Sequence, residues 1–150
     1  MPATSLKERL SADIKAAMKG GDKARLGTLR MMHAAIRQRE IDDRTELGDD
    51  QVLEVLARMA KRHRESIAQY AEANRADLVE QEESELAVIA DYLPEPISDG
   101  ELDRMIGEAV AETGAASMKD MGRVMAELKP RIQGRADMSA VSARVKARLG

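Results

Sequence analysis

Apolar residues recur at helical spacing along nearly the whole of this 150-residue chain. The first predicted helix shows the pattern, because Leu6, Leu10 and Ile14 follow one another at four-residue intervals and therefore share one face. Capping residues precede most such stretches and glycine follows several of them. The predicted caps are Ser5, Asp22, Ser98, Ser117 and Asp137 or Ser139, and the predicted glycine ends are Gly20–Gly21, Gly114 and Gly134. The second helix is expected to run to about Arg44, and a turn near Asn74 is expected to separate the third helix from the fourth. No stretch rich in Val, Ile and Thr alternates in the way that a surface strand does. The sequence therefore predicts an all-α protein.

Two prolines, Pro94 and Pro96, interrupt the helical pattern. Proline disfavours helix at its own position and at the position before it. Four predicted helices precede this segment and three follow it. The pattern thus predicts a four-helix N-terminal domain, residues 1–94, joined by a proline hinge to a small three-helix C-terminal domain, residues 97–150.

Composition excludes several classes of protein. The chain has no Cys, so disulfides, Cys-ligated metals and a Cys nucleophile are ruled out. Its longest apolar run, Leu86–Ala90, is far shorter than the ~18 residues that span a bilayer. Charges of both signs fill the start of the chain, where a secretory signal would need an apolar segment. We therefore expect a cytoplasmic protein with no membrane partner.

The sequence carries no motif of a self-contained active site. It lacks the glycine-rich phosphate-binding patterns and the Gly-x-Ser-x-Gly elbow of hydrolases. The two histidines, His33 and His63, lie on apolar helical stripes without a carboxylate or a second histidine at ligand spacing, so we expect packed structural residues. The glutamates of 80–85 are expected to form a solvated helix face. We predict no catalytic residue, no metal and no cofactor.

Charge is distributed unevenly along the chain. Residues 65–113 contain 2 basic and 14 acidic residues, whereas residues 114–150 contain 8 basic and 3 acidic ones. The basic last quarter is compatible with an anionic partner such as RNA, and equally with pairing of the same cations to the acidic segment. The chain has no Phe or Trp and only two Tyr, so a base-stacking platform is not expected. Any RNA partner is therefore expected to be folded, and recognised by shape and backbone.

Basic side chains supply the candidate RNA-binding residues. Those of the second predicted helix recur every seven residues and form one slowly rotating stripe. Those around Pro130 can follow a phosphate backbone without reading its sequence. The candidates are Arg30, Arg37, Lys61, Arg62, Lys119, Arg123, Lys129, Arg131 and Arg135.

Several short segments, taken in order, resemble one family. They include Lys61–Ile67, Tyr92–Pro94, Asp120–Met125 and Gly134–Asp137. The ordered set resembles the GatB/YqeY family, specifically its stand-alone YqeY-like proteins, over nearly the whole chain. The chain departs from the pattern at Met138, where the family often has glycine.

The resemblance implies an all-helical chain whose small C-terminal domain is of the type found in the tail of the GatB component of the glutamine-dependent aspartyl/glutamyl-tRNA amidotransferase. Related domains are appended to some glutaminyl-tRNA synthetases. There the tail helps to hold tRNA, while activation and amide transfer belong to other domains. The resemblance thus implies a non-catalytic tRNA-binding accessory module that faces tRNA around Lys119, Arg123 and Arg135, with amidotransferase or synthetase components as protein partners.

Two other functions stay open at this point. One is an all-helical protein-interaction adaptor that uses the acidic segment 65–113 as its partner surface. The other is a component of a carbon–nitrogen ligase, with glutamine as amido donor, that acts only together with other subunits. Binding to RNA that weakens steeply with salt distinguishes the tRNA-binding module from the adaptor.

Overall fold

The computed structural model describes residues 4–132 and 135–150. In these residues it contains seven α-helices, one turn of 3₁₀-helix and no strand, which confirms the all-α class. Over the same residues, no helix combines the length and the hydrophobicity that a membrane span needs. The helices are α1 (Leu6–Gly20), α2 (Lys23–Asp43), α3 (Asp49–Glu72), α4 (Ala76–Ala90), α5 (Asp99–Thr113), the 3₁₀ turn (Met118–Asp120), α6 (Met121–Ile132) and α7 (Met138–Leu149).

Side-chain caps begin four of these helices, α1, α2, α5 and α7, at predicted positions. The Ser5 hydroxyl accepts a hydrogen bond from the Glu8 N–H at the start of α1, at 3.1 Å. Asp22, Ser98 and Asp137 cap α2, α5 and α7 in the same manner. Each cap satisfies an amide that has no partner inside its helix, which typically stabilises the helix by ~1 kcal/mol.

The helix ends differ from the prediction at two places. Arg44, expected as the last residue of the second helix, lies just beyond α2 with a φ of 54°. Ser117, expected to cap the sixth helix, caps the 3₁₀ turn that precedes α6. Pro130 lies inside α6, which ends two residues later at Ile132. The predicted C-cap Gly134 lies outside the described residues.

The contacts divide the chain into two compact units, Met1–Pro94 and Glu95–Gly150. In the first unit, α3 packs along α4, and α1 and α2 pack against each other and against this pair. The inward faces of all four helices meet in one apolar core. Its fully buried side chains are Leu10, Leu29, Met32, Val52, Leu56, Ala60 and Ile89.

The second unit has an apolar core of its own. There α6 packs against both α5 and α7, and α5 also contacts α7. The fully buried side chains are Ile106, Ala109, Val124, Leu128, Ile132, Val141 and Val145. The boundary between the units falls at the predicted proline segment. That this segment acts as a hinge between independent domains stays a prediction.

The expectation for His33 is wrong. Its side chain is exposed, whereas the adjacent Met32 is fully buried. The buried face of α2 consists of Thr28, Leu29, Met32 and Ile36, so the inward face of the helix ends just short of His33. His33 is therefore a surface residue and not a packed core histidine.

Candidate functional site

Three of the predicted RNA-binding cations lie on one surface of the second unit. Lys119, in the 3₁₀ turn, and Arg123 and Lys129, in α6, are all exposed. The residues between the cations are small, since Gly122 and Ala126 are also exposed, and nothing lies within 4 Å of the Cβ position at Gly122. We call these five residues the basic face of α6. The acidic residue Glu127, one turn after Arg123 on α6, is also exposed.

A carboxylate at the start of α6 holds one of these cations. Asp120 accepts a hydrogen bond from the Ala116 N–H at 2.9 Å and another from the Arg123 guanidinium. The backbone amide and then Arg123 hold the pKa of Asp120 below its ordinary range. Arg123 keeps a side chain that is 62 % exposed. Asp120 thus fixes the position of Arg123 and offsets part of its charge.

The other two cations predicted in this unit make contacts within it. Arg131 forms an ion pair with Glu108 of α5 at 3.2 Å. The Nε of Arg135 donates to the Glu95 carbonyl at 3.1 Å, and the Arg135 carbonyl accepts from the Ile97 N–H at 3.0 Å. These contacts give Arg135 a structural role in attaching the segment at the start of the unit. Of the five cations predicted in this unit, Arg123, Arg131 and Arg135 thus make contacts within the unit, whereas Lys119 and Lys129 form no ion pair among the described residues.

The candidates of the first unit lie on two helices. Arg30 and Arg37 are exposed on the side of α2 that faces away from the core. Arg37 approaches Glu40 at 4.0 Å. On α3, Lys61 is half-buried and Arg62 is exposed. The α2 pair forms part of the predicted stripe, whereas the α3 pair lies beside His63, a predicted packing residue.

His63 has two carboxylate neighbours, so the expectation that none lies nearby is wrong. Its Nδ1 is 2.9 Å from the Met59 carbonyl. Its Nε2 is 3.6 Å from a carboxylate oxygen of Glu82 and 3.6 Å from one of Glu85. These two glutamates turn toward α3, whereas Glu80 and Glu83 of the same helix are exposed as expected. Only part of the acidic stretch is therefore a solvated face.

The hairpin formed by α3 and α4 explains why His63 lies beside Glu82 and Glu85. A three-residue connection, residues 73–75, joins the helices, with Asn74 at a φ of 56°. Two helices joined so closely run antiparallel, and residues equally distant from the turn lie side by side. His63 and Glu85 are each eleven residues from Asn74. The turn near Asn74 was predicted, so this symmetry was the available signal for the contact.

Comparison with known sequences identifies the family. The sequence model described as "Yqey-like protein" matches residues 7–149. The chain belongs to the Yqey-like protein family. This confirms the resemblance inferred from the ordered segments.

Three relatives of this Yqey-like protein carry the name "Altered inheritance of mitochondria protein 41, mitochondrial". The one from Pyrenophora tritici-repentis is 29% identical over 99% of this chain and 83% of its own length. That from Lachancea thermotolerans is 33% identical over 69% of this chain and 57% of its own. That from Vanderwaltozyma polyspora is 29% identical over 75% and 64%. The chain thus spans less than two thirds of two of these relatives. Their names describe mitochondrial proteins, and a cytoplasmic location for this chain stays a prediction.

The Tyr92–Pro94 segment of this Yqey-like protein has a structural role. The Tyr92 side chain is buried, its hydroxyl donates to Asp13, and the Arg9 guanidinium lies 4.1 Å from the ring centre. Burial, and then the hydrogen bond to Asp13, raises the pKa of Tyr92. Arg9 also pairs with Asp91 at 3.0 Å. These contacts tie α1 to the end of α4 and leave the Tyr92 ring inaccessible to nucleic-acid bases.

Proposed function

We propose that this Yqey-like protein is a non-catalytic accessory module that binds folded RNA, tRNA above all, through the basic face of α6. The observation that carries the proposal is the arrangement of that face. Lys119, Arg123 and Lys129 are exposed around the small residues Gly122 and Ala126. Exposed cations neutralise phosphates, and small residues between them let a phosphate backbone approach the helix closely.

The unpaired state of the two lysines supports this role. Within residues 4–132 and 135–150, neither Lys119 nor Lys129 forms an ion pair with a carboxylate, whereas the arginines Arg104, Arg131 and Arg144 of the same unit all do. A lysine without a carboxylate partner is available to displace counterions from RNA. The acidic residues of α5 thus pair with arginines of the unit and leave Lys119 and Lys129 without an ion pair in the described residues.

The scarcity of exposed aromatic side chains favours folded RNA over single-stranded RNA as the partner. The chain has no Phe or Trp, and of its two tyrosines Tyr92 is buried and Tyr70 is half-buried. Single-strand binders stack bases on exposed aromatic rings. A surface of lysines and arginine without such rings suits a duplex or a folded RNA that presents its backbone. The link to tRNA itself follows from the likeness to amidotransferase tails.

A second candidate function is a protein-interaction adaptor that uses the outer side of α2. Ile41 is one of the few large apolar side chains that are exposed, and it shares that side of the helix with Arg30 and Arg37. Mixed apolar and arginine surfaces are typical of protein interfaces. This differs from the adaptor expected from sequence, because several acids of the segment 65–113 are paired internally.

Crosslinking of the full chain to RNA in cells, followed by recovery and sequencing of that RNA, tests the proposal. We expect tRNA to be enriched with the natural protein and depleted with Lys119→Ala/Lys129→Ala. The matched control is Arg104→Ala/Arg144→Ala, which removes the same charge from arginines already paired with carboxylates. Equal recovery with both variants, or no RNA above background, would refute the proposal.

A further inference from the structure

The hollow between α3 and α4 brings together three side chains that commonly bind metals. These are His63 on α3 and the pair Glu82 and Glu85 on α4. One ligand atom from each, the His63 Nε2 and two carboxylate oxygens, lies within 4.8 Å of the others. We propose that these three residues form a binding site for a divalent transition-metal ion of the zinc class.

The hydrogen bond at the far side of the ring orients His63 for this role. Its Nδ1 lies 2.9 Å from the Met59 carbonyl, which can only accept, so the neutral ring carries its proton on Nδ1. The Nε2 lone pair then points at two carboxylates that are too far away for hydrogen bonds. A carbonyl behind the ring is the usual support of a metal-bound histidine. Three electron-pair donors facing one another repel, and a cation between them removes that repulsion.

The separations suit a small divalent ion. Ligand atoms about 2.0–2.2 Å from zinc, at near-tetrahedral angles, lie roughly 3.3–3.6 Å from one another. The Nε2 of His63 lies 3.6 Å from both carboxylate oxygens. Nitrogen and oxygen donors of this kind bind zinc more strongly than manganese or iron(II). Two of the three separations thus match a zinc site, and the two carboxylate oxygens lie within 4.8 Å of each other.

The surroundings provide both shielding and access. His63 is only 9 % exposed, and the Glu82 and Glu85 side chains are 22 % and 17 % exposed. The hollow has a volume of about 300 Å³ and is also lined by Met31, Ala35, Met59, Arg62 and Ser66. Two carboxylates outweigh the single nearby guanidinium, so the net charge of the hollow attracts a cation. Three protein ligands leave a fourth position for water or a small ligand, as in catalytic zinc sites.

Equilibrium dialysis of the metal-free full chain against Zn²⁺, with measurement of bound metal, tests the site. Co²⁺ is the second probe, because its visible absorption reports the ligands around the ion. The test variants are His63→Gln, Glu82→Gln and Glu85→Gln. The matched controls are His33→Gln, the other histidine, and Glu83→Gln, an exposed neighbour on α4. Circular dichroism establishes that each variant is folded, and the two glutamate variants keep the test decisive if His63→Gln unfolds.

We expect one Zn²⁺ per chain and a rise in melting temperature of the natural protein with zinc. Each test variant should weaken binding by at least the roughly 10–100-fold that loss of a supporting contact costs, and both controls should bind as the natural protein does. Absence of saturable Zn²⁺ binding, or binding that survives Glu82→Gln and Glu85→Gln, would overturn the proposal. The cluster would then be a structural contact between His63 and the two glutamates.

Discussion

The hollow around His63, Glu82 and Glu85 in the first unit and the basic face of α6 in the second bring charged residues together by different means. In the hollow, His63 of one helix meets two glutamates of the next, and all three are largely shielded from water. On the basic face, three cations follow one another along a single stretch of chain and remain exposed. The first cluster depends on how two helices pair, whereas the second depends on spacing within one helix and its preceding turn.

This difference determines which residues remain available to a partner. A charged residue on a helix can pair within its own helix, as Arg104 does with Glu108, or with a residue of a neighbouring helix. In the second unit, α5 offers Asp103 to Arg144 and Glu108 to Arg131, but it leaves Lys119 and Lys129 without such a partner. Pairing between helices therefore selects the candidate RNA contacts from a longer list of cations.

The largest expected effect is a loss of stability that is confined to one of the two units. Leu128 is fully buried in the second core, so Leu128→Ala should lower the free energy of unfolding by about 2–5 kcal/mol. Both tyrosines lie in the first unit, so in urea their fluorescence reports that unit alone, while circular dichroism reports helices of both. We expect Leu128→Ala to shift part of the dichroism transition and to leave the fluorescence transition in place.

Leu56→Ala is the matched variant for this comparison. Leu56 is fully buried in the first core, so the fluorescence transition should move to lower urea. A joint shift of both signals in both variants would mean that the chain unfolds as one cooperative body. The proline segment would then not separate independent domains.

A smaller effect is expected in the hollow around His63 in the absence of metal. His63→Leu keeps an apolar contact but removes the only histidine facing Glu82 and Glu85. Leaving two shielded carboxylates beside a leucine should cost about 1–2 kcal/mol of unfolding free energy, measured in urea with a chelator present. Adding Glu82→Gln and Glu85→Gln should restore most of the loss.

The exposed His33 provides the control for that measurement. His33→Leu lies outside the core and should change stability by no more than about 0.5 kcal/mol. If His63→Leu proves as stable as the natural protein, the glutamates do not depend on His63. The hollow would then hold no interacting triad.

The smallest effects concern acid sensitivity, and they have opposite signs in the two units. In the first unit, the hydrogen bond from Lys7, followed by that from the Leu47 amide, lowers the pKa of Glu40. Glu40 therefore adds stability above its ordinary value of 4.5, and this is lost as pH falls through the lowered pKa. In the second unit, a hydrogen bond with Glu127 raises the pKa of Glu112. Its contribution is present below 4.5 and is lost as pH rises through the raised pKa.

Thermal melts between pH 3 and neutral pH, a range set by these carboxyl groups, test the two signs. Glu40→Gln should reduce stability near neutral pH and show less further loss in acid. Glu112→Gln should stabilise the protein near neutral pH, where Glu112 and Glu127 repel each other, and converge with it in acid. If the melting temperatures of both variants follow pH in parallel with those of the natural protein, neither carboxylate has the expected shift in pKa.

The sequence predicts the helices well because their signals are local. Ser5, Asp22 and Ser98 cap the helices that the apolar spacing outlined, and Gly114 ends α5 as predicted. The face of α2 was less predictable, since burial of Met32 in place of His33 depends on the helices packed around it. The same limitation hid the meeting of His63 with Glu82 and Glu85, which required the register of the α3–α4 hairpin.

The basic face of α6 shows an intermediate case. Spacing alone identified Lys119, Arg123 and Lys129 as cations that could share a surface. It could not show that Arg131 pairs with Glu108 or that Arg135 binds the Glu95 carbonyl, since those partners lie on other parts of the chain. The local sequence pattern thus predicts candidate charged residues, and tertiary contacts determine which of them are available to bind RNA.

The most direct test of the central claim is the salt dependence of binding to bulk tRNA. The logarithm of the affinity is measured against the logarithm of salt concentration for the natural chain, for Lys119→Ala/Lys129→Ala and for Arg104→Ala/Arg144→Ala. If both lysines contact phosphates, the first variant should flatten the slope by somewhat under two units, because each lost contact removes about 0.7–0.9. The second variant should keep the natural slope. A folded Lys119→Ala/Lys129→Ala protein with an unchanged slope would contradict the assignment of RNA binding to the basic face of α6.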